Sequence, residues 1–383
     1  MKRPYVSVGI ILFLVGMAVQ PGIALDIKRS LSAERGAWLY VGGSGAGNYT
    51  KIQDALDNAS DGDTVFVYDE SSPYVEYLTI RHSITLLGES RDTTVINGIP
   101  GWRSMVRIIA QHVVVQGFSF MDHGSDGIYI QSDNVTINGN FIGHIGDAAI
   151  YVEDATRMNI SENIITDSGA GVFFCNSEYH YQNNIIVLNI IRNITDNGIY
   201  ISGNNNIIHG NEITQTHATG IYLHEVSFND ISSNVVSSLT DGIRLVNSYK
   251  NTLYRNTLTR NQRFGLLLTD ASGDSIFENN FMENAQNARI IIDLMVSLFV
   301  HHMIGYPLLP TPTYWMRNFW DAPRSTPYPI PEHLMFGVLI AGWLEFFYRL
   351  QQEQSFVEDF VNFVRFDRNP AQESYDTTSL RFG

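Results

Sequence analysis

An all-β, right-handed parallel β-helix, a solenoid of about 22–23 residues per turn, is the fold this sequence predicts. Two rows of residues and one strand pattern carry that prediction. Asparagine recurs at Asn140, Asn163, Asn189, Asn211, Asn234, Asn256 and Asn279, with spacings of 23, 26, 22, 23, 22 and 23. A row of small residues keeps step with it: Gly127, Ala149, Gly171, Gly198, Gly220, Gly242, Gly265 and Ala288, spaced by 22, 22, 27, 22, 22, 23 and 23. The long interval in each row spans "CNSEYHYQNN", which reads as an insertion after Phe174. Each unit also holds three short alternating segments, such as "NIIHG", "NEIT" and "GIYLH". Alternation over so few residues reads as strand, and none of the segments is long enough for a helix. A single turn cannot bury its own apolar face, so the turns must stack.

The elements follow in chain order. Lys2 and Arg3, an apolar run from Val6 to Val19, and Gly22-Ile23-Ala24 have the pattern of a secretory signal over residues 1–24. A secreted or cell-surface protein is therefore expected, with an uncleaved anchor as the alternative. The β-helix with its amino-terminal cap is expected over residues 38–288. In "YTKIQDALDNASDGDTVFVY", Ile52, Ala55, Leu56 and Ala59 follow helical spacing, so a capping helix is predicted at about 50–60, with Thr50 as its N-cap and Ser60-Asp61-Gly62-Asp63 ending it. Early turns run through "LTIRHSITLLGE" and "TTVINGI" to "SMVRIIAQHVVVQGF", where Phe118 fills the asparagine slot. The asparagines are expected at corners, in the left-handed conformation, with their amides bonded from turn to turn in an inward ladder. Their role is structural. The repeat dissolves near residue 288, and residues 289–383 read as a C-terminal cap or tail. Its apolar stretch "LMFGVLIAGWLEFFYRL" carries Glu345 and falls short of a membrane span. Membrane association is expected only through an uncleaved signal or this tail.

Composition narrows the partners. The chain has 383 residues, 44% of them hydrophobic, with a formal net charge of −15. That balance argues against nucleic acid, whose phosphates need Lys and Arg, and disfavours polyanionic substrates unless a cation bridges them. The single cysteine, Cys175, excludes an intramolecular disulfide framework. Sequons at Asn48, Asn58, Asn134, Asn159 and Asn193 suit a glycosylated surface protein.

The opening "YTKIQDALDNASDGDTVFVYDESSPYVEYLTIRHSITLLGE", with "NFWDAPRSTPYPI" and "VNFVRFDRNPAQESYD" in the tail, resembles the NosD-type β-helix family, and in particular its secreted archaeal members. The likeness covers nearly all of residues 38–376. It implies a β-helix of the kind found in carbohydrate-binding proteins and sugar hydrolases. It also implies a copper hypothesis, because the family name comes from a periplasmic protein linked to copper-site maturation of nitrous oxide reductase. Copper wants Cys, Met or His converging at ligand spacing. The candidates are His301-His302-Met303 in the tail, His209, His217 and His224 in one turn, and Cys175 in the insertion; none forms a repeated ligand motif.

Two faces are candidates for function. Two residues after each small residue stand Tyr129, Tyr151, Phe173, Tyr200 and Tyr222, followed by Arg244 and Leu267. If Ile128 and Ile130, or Ile221 and Leu223, point inward, the aromatics point outward as a stripe roughly 19 Å long. The stripe reads either as a platform for a polysaccharide or surface glycan, or as stacked rings that stabilise neighbouring strands. The preceding loops carry Asp122, Asp126, Asp147, Asp167, Asp196 and Asp241, among His123, His144 and His217. Carboxylates such as Asp122 and Asp147 could serve a glycosidase or hold Ca²⁺, and Asp before Gly is also ordinary turn chemistry. No cofactor is firmly implied; calcium and copper are the metal options. The leading reading is a non-catalytic exported β-helix that binds carbohydrate or acts as a surface scaffold. The alternatives are a polysaccharide lyase, hydrolase or epimerase, and a copper accessory protein.

Overall fold

The computed structural model describes residues 36–175, 182–293 and 313–321, together with the strands Tyr328–Pro329, Glu332–Met335 and Phe366–Asp367. The signal segment, most of the insertion after Phe174, and His301, His302 and Met303 lie outside the described residues.

One repeat shows the plan. Ile207–His209, Glu212–Thr216 and Ile221–Ser227 form one turn, and Asp230–Ser232, Val235–Ser238 and Ile243–Val246 form the next. The pairing is parallel and in register: Ile208 lies opposite Ile231, Ile213 opposite Val236, and Ile221 opposite Ile243. The coil is right-handed, the hand that parallel crossovers take when right-twisted strands feed the connection. First strands stack into one 12-stranded sheet, while second and third strands share a 20-stranded sheet. They share it because continuous strands such as Phe141–Glu153 and Ile164–Cys175 carry the bend between them.

Alternation sends every second side chain inward. Val65, Leu86, Val115, Ile137, Ile160, Ile186, Ile208, Ile231, Leu253 and Ile276 form one buried column. Burying an aliphatic side chain of this size contributes about 1.5–3 kcal/mol, realised only when a neighbouring turn covers it.

The small row answers a different need. A Cβ at Gly198 would lie 2.6 Å from the Gly220 carbonyl oxygen, and one at Gly220 would lie 2.7 Å from that of Gly242. These glycines do not have positive φ; they are small because the next turn's backbone passes close by. The left-handed conformation belongs instead to the residue before each ladder asparagine: Gly139, Glu162, Leu188, Gly210, Ser233, Arg255 and Glu278, with φ from 55 to 65°. This corrects the expectation that asparagine itself adopts it. The turning residue swings the chain so that the following asparagine projects inward.

At the amino end, the helix Ile52–Asn58 buries Ile52, Ala55 and Leu56 against the first turns. Thr50 does not cap it. The N-cap position is Lys51, with no side-chain bond, and the Glu76 carboxylate from a later turn accepts the Ile52 and Gln53 N–H groups at 2.9 and 3.0 Å. A carboxylate at a helix N-terminus also meets the positive end of the helix dipole.

At the other end the β-helix continues past residue 288. Tyr314–Met316, Phe319–Trp320 and Glu332–Met335 add a further turn, with Trp315 opposite Ile276, Trp320 opposite Phe281 and Glu332 opposite Ile290. Here the buried positions go to Trp315 and Trp320, and the Trp320 ring stacks on Phe281 at 4.3 Å. Indoles in place of aliphatics, after a long interruption, hid this turn from a search for periodicity.

Candidate functional site

The asparagine rows are saturated with hydrogen bonds. The Asn189 N–H and side-chain amide both donate to Asn211 Oδ1 at 3.0 Å, while Asn211 Nδ2 donates to the Ile186 carbonyl at 2.8 Å and to Asn234 Oδ1 at 3.0 Å. The ladder starts where the Phe118 N–H meets Asn140 Oδ1 at 3.1 Å and runs to Asn318, which accepts from Asn279 at 2.9 Å. Buried corner groups are thereby paired, as buried backbone requires. Nothing in the ladder is left over for a ligand.

A second ladder escaped the sequence reading. Asn184, Asn206, Asn229 and Asn251 are linked in the same way, and the run ends on the carboxylate of Asp274, which accepts the Asn251 N–H at 2.7 Å and the Ser248 hydroxyl at 3.0 Å. In earlier turns the same slot holds Val135 and Met158, so the row changes chemistry midway. The recurring "NII", "NII", "NDI" and "NTL" that open the later first strands were the available signal.

The third strands present Tyr129, Tyr151, Phe173, Tyr200 and Tyr222 in register, one ring per turn, each half-buried. Successive ring centroids are 5.3, 5.6, 4.8 and 5.2 Å apart. The first three pairs are inclined by only 37, 31 and 16°, so their faces turn largely toward one another. At Tyr222 the stack breaks, with the ring edge-on to Tyr200 at 78°. Arginine closes both ends: Arg107 lies 6.0 Å from the Tyr129 ring centre and Arg244 lies 5.2 Å from that of Tyr222. Cation–π contacts of this kind contribute about 0.5–1 kcal/mol at exposed sites.

A polar row accompanies the rings at one end. The Tyr129 hydroxyl donates to Glu153, Gln131 also donates to Glu153, and Arg107 donates to Gln131 Oε1 at 2.6 Å. Burial first, and then the Glu153 carboxylate, push the Tyr129 hydroxyl above the usual tyrosine range; burial, and then Cys175, do the same to Tyr151.

The loop acids scatter over local partners. Asp122 is exposed, left-handed at φ 58°, with Oδ1 3.1 Å from His144 Nδ1. Asp147 is also exposed, and its nearby charge falls on Asp126. Asp126 accepts the Ala148 N–H at 3.2 Å, and burial pushes its carboxyl up. Asp241 is fully buried and paired with Arg263, whose Nε lies 2.7 Å from its Oδ1. The contacts therefore pair Asp122 with His144 and set Asp147 beside Asp126.

The copper donors separate in the same way. His209 bonds Ser232 on the first sheet, His217 bonds the Ile194 carbonyl, and His224 lies beside Tyr222 on the third face. Among the described residues, no three of His, Cys, Asp or Glu converge as a metal site. His209, His217 and His224 therefore do not form a copper centre.

A family described as periplasmic copper-binding protein (NosD) matches residues 56–324. A cell surface glycoprotein of Methanothermus fervidus is 30% identical over 199 residues, covering 48% of this chain; the chain spans about a third of that relative, 32%. Among solved structures, the A-module of the Azotobacter vinelandii mannuronan C-5 epimerase AlgE6 superposes with a TM-score of 0.47 at 12% identity, covering 76% of this chain and 91% of that one. The periplasmic alginate epimerase AlgG gives 0.40 at 15% identity, covering 72% and 73%.

Proposed function

We propose that this chain, which belongs to the NosD family, is an exported cell-surface β-helix that serves as a non-catalytic scaffold. The observation that carries this reading is the way the molecule uses its polar and aromatic groups on itself. Two amide ladders are consumed turn by turn, and the first rings of the stripe face one another. The acids of the corner loops are engaged by neighbours such as His144, Ala148 and Arg263. Likeness to a cell surface glycoprotein supports the location. The test labels intact cells with a membrane-impermeant reagent and incubates the purified protein with polysaccharides. Labelling without product formation is expected. Protein reached only after lysis, or a cleaved or epimerised polysaccharide, would overturn the reading.

One observation favours a second role, glycan contact on the third face. Where the stack breaks, Tyr222 meets Arg244 and His224, so a ring edge, a guanidinium and an imidazole sit together on the outer surface. A surface scaffold with one such contact would be held to its envelope.

A further inference from the structure

The broken end of the stripe carries more positive charge than the composition prepares for. Strand register places Arg244, Leu267 and Arg289 in the three turns that follow Tyr222. Arg244 and Arg289 are therefore two strand steps apart, roughly 9–10 Å, on the same outward face. The Arg244 guanidinium lies over the Tyr222 ring, 5.2 Å from its centre, and that of Arg289 lies 5.4 Å from the Phe264 ring centre. Neither makes an ion pair among the described residues, whereas Arg157, Arg255, Arg260, Arg263 and Arg317 all do. The Nε atoms of Arg244 and Arg289 are buried with no hydrogen-bond partner. Acids are not scarce in a chain with 39 Asp and Glu against 24 Lys and Arg. Among the described residues, these two guanidiniums share one face with no carboxylate paired to either, a local reversal of the molecule's charge.

Cation–π contact with Tyr222 and Phe264 restricts where these two guanidiniums lie. A pre-oriented guanidinium offers paired N–H donors suited to a carboxylate or sulfate, and it has little rotamer entropy left to lose on binding. Leu267 between them is apolar and buried, so its side chain offers the guanidiniums no hydrogen-bond acceptor. Tyr222 and His224 border the same patch.

We infer that the Tyr222–Arg244–Arg289 patch binds an acidic glycan, the two guanidiniums taking successive anionic groups of a chain laid along the third face. This rests on the glycan-contact reading above and narrows its ligand to the acidic class. It also revises the expectation that an acidic protein needs a bridging cation for such a ligand, because the relevant charge is local.

The experiment is affinity electrophoresis of the exported chain through gels holding matched pairs: polygalacturonate and its methyl ester, dextran sulfate and dextran. Retardation by an acidic member and not by its neutral counterpart is expected, falling as salt rises and unaffected by a calcium chelator. The double variant Arg244→Gln with Arg289→Gln should weaken binding at least tenfold with an unchanged circular dichroism spectrum. Arg107→Gln, at the other end of the stripe, should leave it unchanged. Carboxylated or sulfated preference separates the two anion sources. Equal retardation by neutral and acidic members would overturn the acidic assignment and leave glycan contact standing. Acid-selective retardation that the double variant preserves would overturn the site. No retardation in any of the four gels would overturn both.

Discussion

Replacing one rung of the first ladder is the sharpest test of how the solenoid holds together. In Asn211→Ala, Asn211 Oδ1 stops accepting from the Asn189 N–H and amide, and Nδ2 stops donating to Ile186 O and Asn234 Oδ1. Four hydrogen bonds go, each contributing about 0.5–1.5 kcal/mol net. Some damage is shared, since Asn189 Nδ2 keeps the Ile160 carbonyl at 2.9 Å and Asn234 Oδ1 keeps the Asn211 N–H at 3.0 Å. The Asn189 N–H and Ile186 C=O lose their side-chain partner at a buried corner, where an unsatisfied group costs about 1–3 kcal/mol. A loss of about 3–5 kcal/mol is expected. Urea denaturation monitored by circular dichroism measures it, with Thr214→Ala, a half-buried outward position on a neighbouring strand, as the control. Surface substitutions usually fall within about 0.5 kcal/mol of wild type. If Asn211→Ala fell in that range with an unchanged denaturant slope, the claim that the ladder satisfies buried backbone would be refuted.

Three further outcomes are expected. Glu76→Ala should cost about 1 kcal/mol, the usual effect of a lost helix cap, while Thr50→Ala should be near neutral; the reverse order in the same denaturation assay would restore Thr50 as the cap. Arg263→Ala should cost about 3–5 kcal/mol because it strands the buried Asp241 carboxylate, and adding Asp241→Asn should recover part of that loss; no recovery would mean that the pair is not coupled. The Asp126 carboxyl has its folded pKa raised, chiefly by burial. Against an unfolded value of about 3.9, its ionised form weakens the fold, fully above the folded pKa and not at all below the unfolded one. Asp126→Asn should therefore raise the melting temperature at pH 7, with the gain shrinking on acidification; a gain independent of pH would count against this assignment.

Much of the architecture was legible, because a solenoid writes its period into the chain. The asparagine and glycine rows located the turns, and the outward phase of Tyr129 to Tyr222 followed from alternation alone. What stayed hidden depended on contacts between distant residues. Left-handed corners could not be assigned from residue type, since Leu188 and Arg255 adopt them as readily as Gly210. Register, once seen, supports these residues against their intrinsic preference. The cap on Ile52 and Gln53 comes from Glu76, too far along the chain for any local capping motif. The candidate site was legible as a row of rings, but not as a stack. That distinction lies in ring inclination, and the absence of an ion pair at Arg244 and Arg289 among the described residues lies in which carboxylates fail to reach them.

The spacing of the rungs has a consequence for how such a chain can change length. Asn279 and Asn318 are 39 residues apart, yet their bond at 2.9 Å matches those between asparagines 22 or 23 apart. The same holds across the 26 residues from Asn163 to Asn189, at 3.0 Å. Length is thus counted in whole rungs. An inserted segment either supplies a complete turn and moves everything beyond it by one strand spacing, roughly 4.8 Å, or it is expelled at a corner and moves nothing. Fractional growth has no stable solution, because a partial turn would set each asparagine opposite an aliphatic side chain. A lineage of such proteins can therefore elongate by duplication and decorate itself by insertion as two independent operations. Neither edit disturbs the alignment of the groups already displayed along the rod.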